Sequence, residues 1–447
     1  MNKIFTTMIK QYFKQAWQLV KQNKLFSLIY VAGTALSISM VMFVAIFFFL
    51  RSRSYYPEQE RDKLFHIQHI ALTPKDTTID NYHSSLLSHR FVKEVVYSLK
   101  TPKAVSASIK EFKSSYQIKM GDGIADQKVS VKYTDPGFWE VYRYKFVEGK
   151  PFSQADFESG LPSAVIAKGL ADKLFPDTQA TGQHFVMNGK DYRVSGVVED
   201  GSYLLESSFG VVFLPYTIVP GYEKADDDED VLGFFTTVIR LNKSSDEKAM
   251  REEVKEKVAQ LEAPLTHNIH LDGQPESALV HSFRRGNRGA DMKDIMLKTS
   301  IILLLVLLVP AINLSGLNSS QMEERLREIG VRKAFGAPNS VLLRQILIEN
   351  FLLTLLGALL GLLVSYFLIL YFSDMLIGRL SLYASDLETL TWGNKGITPS
   401  MLFDPFVFVI TVFFALVVNV LSGLVPAYHF TKKSITYSLN DNPTNHY

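Results

Sequence analysis

The sequence predicts a membrane α-helical protein with four transmembrane helices and a large α+β extracytoplasmic domain inserted between helices 1 and 2. Three observations carry this expectation. Four runs, Leu25 to Leu50, Thr299 to Met322, Asn350 to Ser373 and Pro405 to Thr431, contain no Lys, Arg, Asp or Glu. Each exceeds the roughly 20 apolar residues that a helix needs to cross a bilayer core, and four of them in one chain is not the pattern of buried helices in a soluble protein. Residues 51–298, between the first two runs, have the mixed composition of a soluble domain, long enough for one large core or two small ones. A strongly charged segment, 323–349, is wedged between the second and third runs, where polar sequence must serve a partner in water.

The leader, residues 1–24, places Phe5, Ile9, Phe13, Trp17 and Val20 on one helical stripe and Lys10, Lys14, Gln18 and Lys21 opposite. That periodicity predicts an amphipathic helix lying in the membrane interface on the cytoplasmic side. The first apolar run is too long for a signal core of about 7 to 15 residues and lacks a small-x-small cleavage site after it, so it reads as a retained anchor. Lys3, Lys10, Lys14, Lys21 and Lys24, with no acid among them, place the N-terminus inside. Four crossings then put 51–298 outside, 323–349 inside, the loop 374–404 outside and the tail 432–447 inside. Arg325, Arg327, Arg332, Lys333 and Arg344 of the inner loop outnumber Arg379 and Lys395 of the outer one, and Lys432 and Lys433 follow the fourth run, in agreement. Arg284, Arg285, Arg288, Lys293 and Lys298 run against the rule on the proposed outer side, but long domains translocate largely regardless of charge.

Within the external domain, alternation over residues 62–71 reads as a strand, while Leu86 to Leu99 and Asp246 to Leu261 read as helices. Asn188-Gly189, flanked by alternating residues from Gln183 to Val198, predicts a hairpin because both turn positions need positive φ. Gly289 to Lys298 contains no breaker, so the second span is expected to extend outward as a stalk.

The residue inventory excludes several function classes. Cysteine is absent, which removes disulfides and thiolate metal sites. No GxxxxGK[ST], HExxH or GxSxG occurs. Ser245-Asp246-Glu247-Lys248 matches SxxK only as a charged helix start. His66 and His69, like His267 and His270, are spaced HxxH on strands, a spacing that turns the two rings to opposite faces. The acidic run Asp226 to Asp230 lacks the glycine and the distal glutamate of a calcium loop and reads as a solvated loop. No catalytic residue, metal or cofactor is therefore assigned, and the near-neutral net charge of +2 accompanies an expectation of membrane and protein partners without nucleic acid.

In the spans, Asn313 and Asn419 suit hydrogen bonds between helices, and Pro310 with Asn313 bends the second. Gly357 and Gly361, with Ala358 beside them, permit a close helix contact, at a subunit interface or against the neighbouring span. The inner segment predicts a short amphipathic helix over Met322 to Ala334. Leu326, Ile329, Val331 and Phe335 offer apolar contacts, Gly330 and Gly336 allow close approach, and Pro338 ends it.

Arg327-Glu328-Ile329-Gly330-Val331-Arg332-Lys333-Ala334-Phe335-Gly336-Ala337, with Gln345, Glu349, Gly357 and Gly361, resembles the cytoplasmic signature of FtsX-like permeases of ABC transporters. The external segment is similar to the MacB-type periplasmic core domain in Phe146-Val147-Glu148-Gly149-Lys150-Pro151-Phe152, Ala164-Val165-Ile166-Ala167, Leu170 to Phe175, Thr181-Gly182-Gln183 and Tyr192 to Asp200. Gly423-Leu424-Val425-Pro426-Ala427 resembles the close of the family's last span, although the proline usual shortly afterwards is replaced by Lys432-Lys433-Ser434-Ile435. The resemblance implies a dimeric permease, homo- or heterodimeric, in the inner (cytoplasmic) membrane. Arg325, Arg327 to Phe335 and Gly336 then form a coupling helix on a separate cytosolic ATPase that binds the ATP, and Gly357, Gly361, Gly423 and Pro426 serve helix packing. It implies a two-lobed periplasmic domain with an insert near 116–204, a stalk near 289–298, and a periplasmic adaptor or cargo protein as a further partner. The expected function is transmission of ATP-driven motion across the membrane for export or mechanical work in the envelope. The alternative is a membrane-anchored sensor or scaffold that binds a periplasmic ligand without ATP.

Overall fold

The structure, a computed structural model, describes residues 24–305 apart from 77, 79–81, 111–115, 120–126, 204 and 285, together with 331, 334–335, 338–371, 408–413 and 416–417. These fall into two compact units, divided at Leu50/Arg51 and Met292/Lys293.

The chain enters the described region in helix α1 (Lys24–Ser52), whose only charged residues are at its ends, Lys24 and Arg51. The leader before Lys24 lies outside the described residues. Beyond α1, sixteen strands among the described residues join in one sheet. They are β1 (Leu64–Ile67), β2 (Ile70–Pro74), β3 (His83–Leu87), β4 (Ala104–Ile109), β5 (Tyr116–Ile118), β6 (Gln127–Val129), β7 (Val131–Thr134) and β8 (Phe146–Gly149). There follow β9 (Ser163–Ala167), β10 (His184–Met187), β11 (Lys190–Val198), β12 (Val212–Pro215), β13 (Leu232–Gly233), β14 (Phe235–Arg240), β15 (His267–His270) and β16 (Glu276–Ser277). The path runs β15-β2-β3-β14-β4 and then β7-β12-β9-β11-β10-β5-β6. The strands of 116–215 thus form one continuous half, joined to the rest where β4 pairs with β7 through Ser108↔Thr134 and Ile109↔Tyr133. The insert expected to end near 204 runs on to Pro215, because β12 lies parallel to β7 and antiparallel to β9.

Local chemistry accounts for the departures from the sequence pattern. The expected single strand over 62–71 is two, β1 and β2, broken at Gln68 and His69, whose N–H groups both donate to Gln274 Oε1 (2.7 and 3.3 Å). Leu86 and Leu87 belong to β3 rather than to a helix; the helical turn opens only after Ser88, whose Oγ accepts from Phe91 N at 3.0 Å, and widens over Val92–Val96. The Asn188-Gly189 hairpin is present, with φ of 48° and 75°. Helix α2 (Glu247–Glu262) buries Met250, Val254, Val258 and Leu261 at helical spacing.

The core of the insert half is aromatic. Phe138, Tyr142, Tyr144, Phe152 and Phe213 are buried together, with Trp139 edge-on to Tyr144 and Phe213. Asp135 fastens this half to β4: its carboxylate accepts from Ser106 Oγ (2.7 Å), Ala107 N (2.8 Å), Phe138 N (3.0 Å) and Tyr97 Oη (2.5 Å). Burial pushes its carboxyl above the usual range, against the pull of those donors.

The expected stalk starts later than Gly289: residues 289–291 are not helical, and the helix α3 covers 292–305. A side chain at Gly289 would lie 2.9 Å from the Asp272 carbonyl oxygen, so there the backbone packs too closely onto the domain to coil as a stalk. Helix α4 (Asn339–Tyr371) starts inside the stretch expected to be loop. Among the described residues two helical stretches are long and apolar enough to cross a membrane, Ser27–Ser52 in α1 and Phe351–Ile369 in α4. Of the other two expected spans, 299–305, 408–413 and 416–417 are helical, and the remainder lies outside the described residues.

Candidate coupling and transmission site

Arg325, Arg327, Glu328, Ile329, Gly330, Arg332, Lys333 and Gly336 of the expected coupling helix lie outside the described residues, as do Gly423 and Pro426. Val331, Ala334 and Phe335 are described. Phe335 N donates to Val331 O at 3.1 Å, which closes one helical turn. Val331 is 46% exposed and Phe335 89% exposed, so two apolar side chains a turn apart stand free of their own unit. Such a pair fits a hydrophobic groove on another protein. Val341 N donates to Pro338 O at 3.0 Å at the start of α4.

Helix α4 meets α1 through its glycines. A Cβ at Gly357 would lie 2.7 Å from both Thr34 Cβ and Cγ2, and one at Gly361 2.7 Å from the Ala35 carbonyl oxygen. Contact this close exists because neither glycine has a side chain. Three serine hydroxyls of these helices turn back on their own backbone: Ser37 Oγ donates to Gly33 O (2.7 Å), Ser39 Oγ to Leu36 O (2.8 Å) and Ser365 Oγ to Leu362 O (2.7 Å). Tyr30 and Leu353 are buried together at one end of the contact.

At the outer end of α1 the chain enters a charged clasp. Arg61 Nη1 donates to the carbonyl of Arg51 (2.8 Å), in the last turn of the helix, and to that of Arg53 (3.3 Å) just beyond it. Its Nε faces Glu58 at 3.0 Å, and the buried Glu58 also accepts from Ser208 Oγ at 2.8 Å. Tyr56 Oη donates to Glu199 O (3.2 Å) and accepts from Lys145 N (3.1 Å); burial pushes its phenol up to about 12. Glu60 pairs with Lys63 (2.9 Å), Arg143 (3.1 Å) and Arg240, and Arg240 Nη1 donates to Glu140 O at 2.7 Å. Lys63 first, then Arg240 and Arg143, hold the Glu60 carboxyl below the usual range. Residues 51–63 therefore grip both halves of the sheet: Glu58 and Tyr56 the insert half, Glu60 strand β14. The sequence signal of this clasp is the density of charge in Glu58-Gln59-Glu60-Arg61-Asp62-Lys63 shortly after an apolar run.

A second cluster lies beside it. The buried His66 ring stacks on His281, centroids 4.2 Å apart and planes 6° from parallel. Glu276 Oε1 accepts from Arg284 Nε at 2.6 Å and faces His281 Nδ1 at 3.1 Å. Burial raises the Glu276 carboxyl, but the His281 and Arg284 contacts outweigh it and leave it low. Burial holds His66 neutral well below its ordinary range, helped by the charges of His281 and Arg61. Of the basic stretch before the second run, Arg284 is thus an internal ion-pair partner, whereas Arg288 is exposed and Lys298 pairs with Asp294 at 2.6 Å.

The other sequence candidates are dispersed. His267 faces Glu229 and His270 bonds Thr73 Oγ1 at 2.7 Å. Ser245 and Lys248 lie where a short 3-10 turn passes into α2. Asp226 to Asp230 is an organised turn rather than a merely solvated one, since Asp227 accepts from the backbone N–H of Glu229 (3.3 Å), Val231 (2.9 Å) and Leu232 (2.7 Å). Among the described residues no three His, Asp or Glu side chains are placed to hold a metal ion.

Residues 27–257 match the family model of the MacB-like periplasmic core domain, and residues 300–435 that of the FtsX-like permease C-terminal domain. YknZ of Bacillus subtilis (strain 168), named an uncharacterized ABC transporter permease, is 24% identical over 295 residues, 66% of this chain and 70% of its own. MacB of Shewanella sp. (strain W3-18-1), named a macrolide export ATP-binding/permease protein, is 28% identical over 240 residues, 54% of this chain and 35% of its own. The chain thus spans about a third of that longer relative. The periplasmic region of MacB from Actinobacillus actinomycetemcomitans overlays with a TM-score of 0.32 at 12% identity, covering 52% of this chain and 92% of that one.

Proposed function

The chain belongs to the ABC transporter permeases that join a MacB-like periplasmic core domain to an FtsX-like permease domain, and from that membership we propose that it carries ATP-driven motion from a separate cytosolic ATPase to its external domain, for export or for mechanical work in the cell envelope. The observation that supports this reading is the Arg61 guanidinium, which donates to the Arg51 carbonyl at the end of α1 and forms an ion pair with the buried Glu58.

At the inner end, Val331 and Phe335 supply the apolar contact on which the ATPase would act, flanked by the arginines and glycines of 325–336. The 447 residues contain no GxxxxGK[ST], so the nucleotide phosphates would be held by a partner chain. In this reading four spans cross the inner membrane, two permease chains pair, and closure of two ATPase subunits pushes the paired coupling helices together. Charged groups are absent from the spans, where each would cost roughly 2.5 to 3.5 kcal/mol at mid-membrane, so the work is mechanical rather than passage through a polar path.

The test is co-purification with a cytosolic ATPase. Gly330→Glu with Arg332→Glu should abolish assembly and the permease-dependent part of ATP turnover. Unaltered assembly and turnover would remove the coupling assignment, and the absence of any bound ATPase would favour the sensor or scaffold reading.

A further inference from the structure

Arg51 occupies the last turn of α1, where a basic side chain ordinarily faces water beside the helix's negative end. Here it reaches across 231 positions of sequence. Its Nη1 donates to the Ser282 carbonyl at 2.6 Å, and its guanidinium carbon lies 4.6 Å over the centre of the Phe283 ring. The chain it grips is itself anchored. Ser282 N donates to Ala278 O at 3.1 Å, closing the turn that follows β16, and β16 pairs with β1 through Phe65↔Ser277 and His66↔Glu276. Two residues on, Arg284 binds Glu276 at 2.6 Å and the Asp272 carbonyl at 3.0 Å. Ten residues after Ser282 the helix α3 begins.

The chain leaving the first helix and the chain returning toward the second therefore meet through the Arg51 side chain. We infer that Arg51 is a positioning residue that ties these two connections together and so holds the chain leaving the first helix against the chain leading to the second. This rests on the transmission reading above and names the residue that joins its two arms. Only arginine suits the position, because one planar group must donate along its edge while its face lies on a ring.

The chain has no cysteine, so spin labels can be placed cleanly at Leu28→Cys and Leu297→Cys, both side chains being more than half exposed at 65% and 61%. In the full-length protein in lipid nanodiscs, electron double resonance should give a narrow distance distribution. Arg51→Gln should at least double its width, and Arg51→Lys, which keeps a donor but not the flat contact with Phe283, should fall between. A wild-type width in Arg51→Gln overturns the inference. If that variant fails to fold, Arg51→Lys decides: a broadened distribution supports the tie and a wild-type width overturns it. With the cytosolic ATPase added, ATP should shift the wild-type distance, and the shift should be at least threefold smaller in Arg51→Gln; an undiminished shift also overturns the inference. Absence of any shift in the wild type contradicts the transmission reading alone, and the tie is then judged by the widths.

Discussion

Gly357 of α4 faces Thr34 of α1 so closely that a Cβ on the glycine would stand 2.7 Å from the threonine's Cβ. The first and third apolar runs of the sequence are thereby packed backbone to side chain, and one turn on, Gly361 meets the Ala35 carbonyl at the same distance. A methyl group has nowhere to go at either site, because Gly361 faces the Ala35 carbonyl and Gly357 faces the Thr34 Cβ, which side-chain rotation does not move. Gly361→Ala and Gly357→Ala should each cost about 1 to 3 kcal/mol of resistance to unfolding in mixed detergent, the usual range for overpacking. Equal stability of Gly361→Ala and wild type would show that the helices do not meet there.

The clasp after α1 predicts a different loss. Arg240→Met removes one of the three basic partners of Glu60 and the donor to the Glu140 carbonyl while keeping much of the side-chain volume. Glu60 keeps Lys63 and Arg143, so the loss is that of the Arg240 hydrogen bonds and should cost on the order of 1 to 3 kcal/mol. Hydrogen exchange of the full chain in detergent should show β14 and β4 opening faster while α4 is unchanged. Unchanged protection in both strands would mean that the ion pair adds nothing to the sheet.

Acidity should loosen the external domain. His66 is held neutral in the fold by burial, and His69 is depressed to about 4, first by burial and then by the Lys110 and Arg284 charges. Below about pH 6.5 the unfolded chain takes up protons that the fold refuses, so stability falls as pH falls, by about 1.4 kcal/mol per pH unit for His66 alone. His69 adds the same sign down to about pH 4. Asp135, whose carboxyl is raised in the fold, opposes the trend as it protonates. His66→Phe keeps a flat ring against His281 and removes the proton site, so urea unfolding between pH 7 and 5 should show a shallower pH slope than wild type. An identical slope would mean that His66 is charged in the fold.

Phe335 predicts the behaviour of the inner end. Replacing an exposed aromatic anchor at a protein contact costs about 2 kcal/mol, roughly a 30-fold loss of affinity. Phe335→Asp should weaken binding of the cytosolic ATPase by about that factor and leave the thermal unfolding of the permease unchanged, since the side chain is 89% exposed. Wild-type affinity would place the contact elsewhere.

The sequence displays its periodic features and conceals those that depend on distant partners. The Asn188-Gly189 turn is legible because two consecutive positive φ angles demand those residues. The four burials along α2 are legible because helix spacing repeats. The α1 and α4 helices follow from uncharged length alone. Misread boundaries occur where a side chain far along the chain intervenes: Gln274 ends the strand at Gln68, and β12 extends the insert to Pro215. The clasp of Glu58, Glu60 and Arg61 escaped notice for the same reason, since its other members, Arg143, Ser208 and Arg240, lie up to 180 positions away. Gly357 and Gly361 announce a close contact, but only the structure supplies Thr34 and Ala35 as its other side.

Every part of the account requires the coupling segment and the sheet domain to face opposite sides of one membrane. In this cysteine-free chain, Phe335→Cys and Gln154→Cys give two exposed single thiols, one in each region. A membrane-impermeant maleimide applied to spheroplasts should modify Gln154→Cys and spare Phe335→Cys until the membrane is broken. Modification of both thiols in intact spheroplasts, or of Phe335→Cys alone, would contradict it.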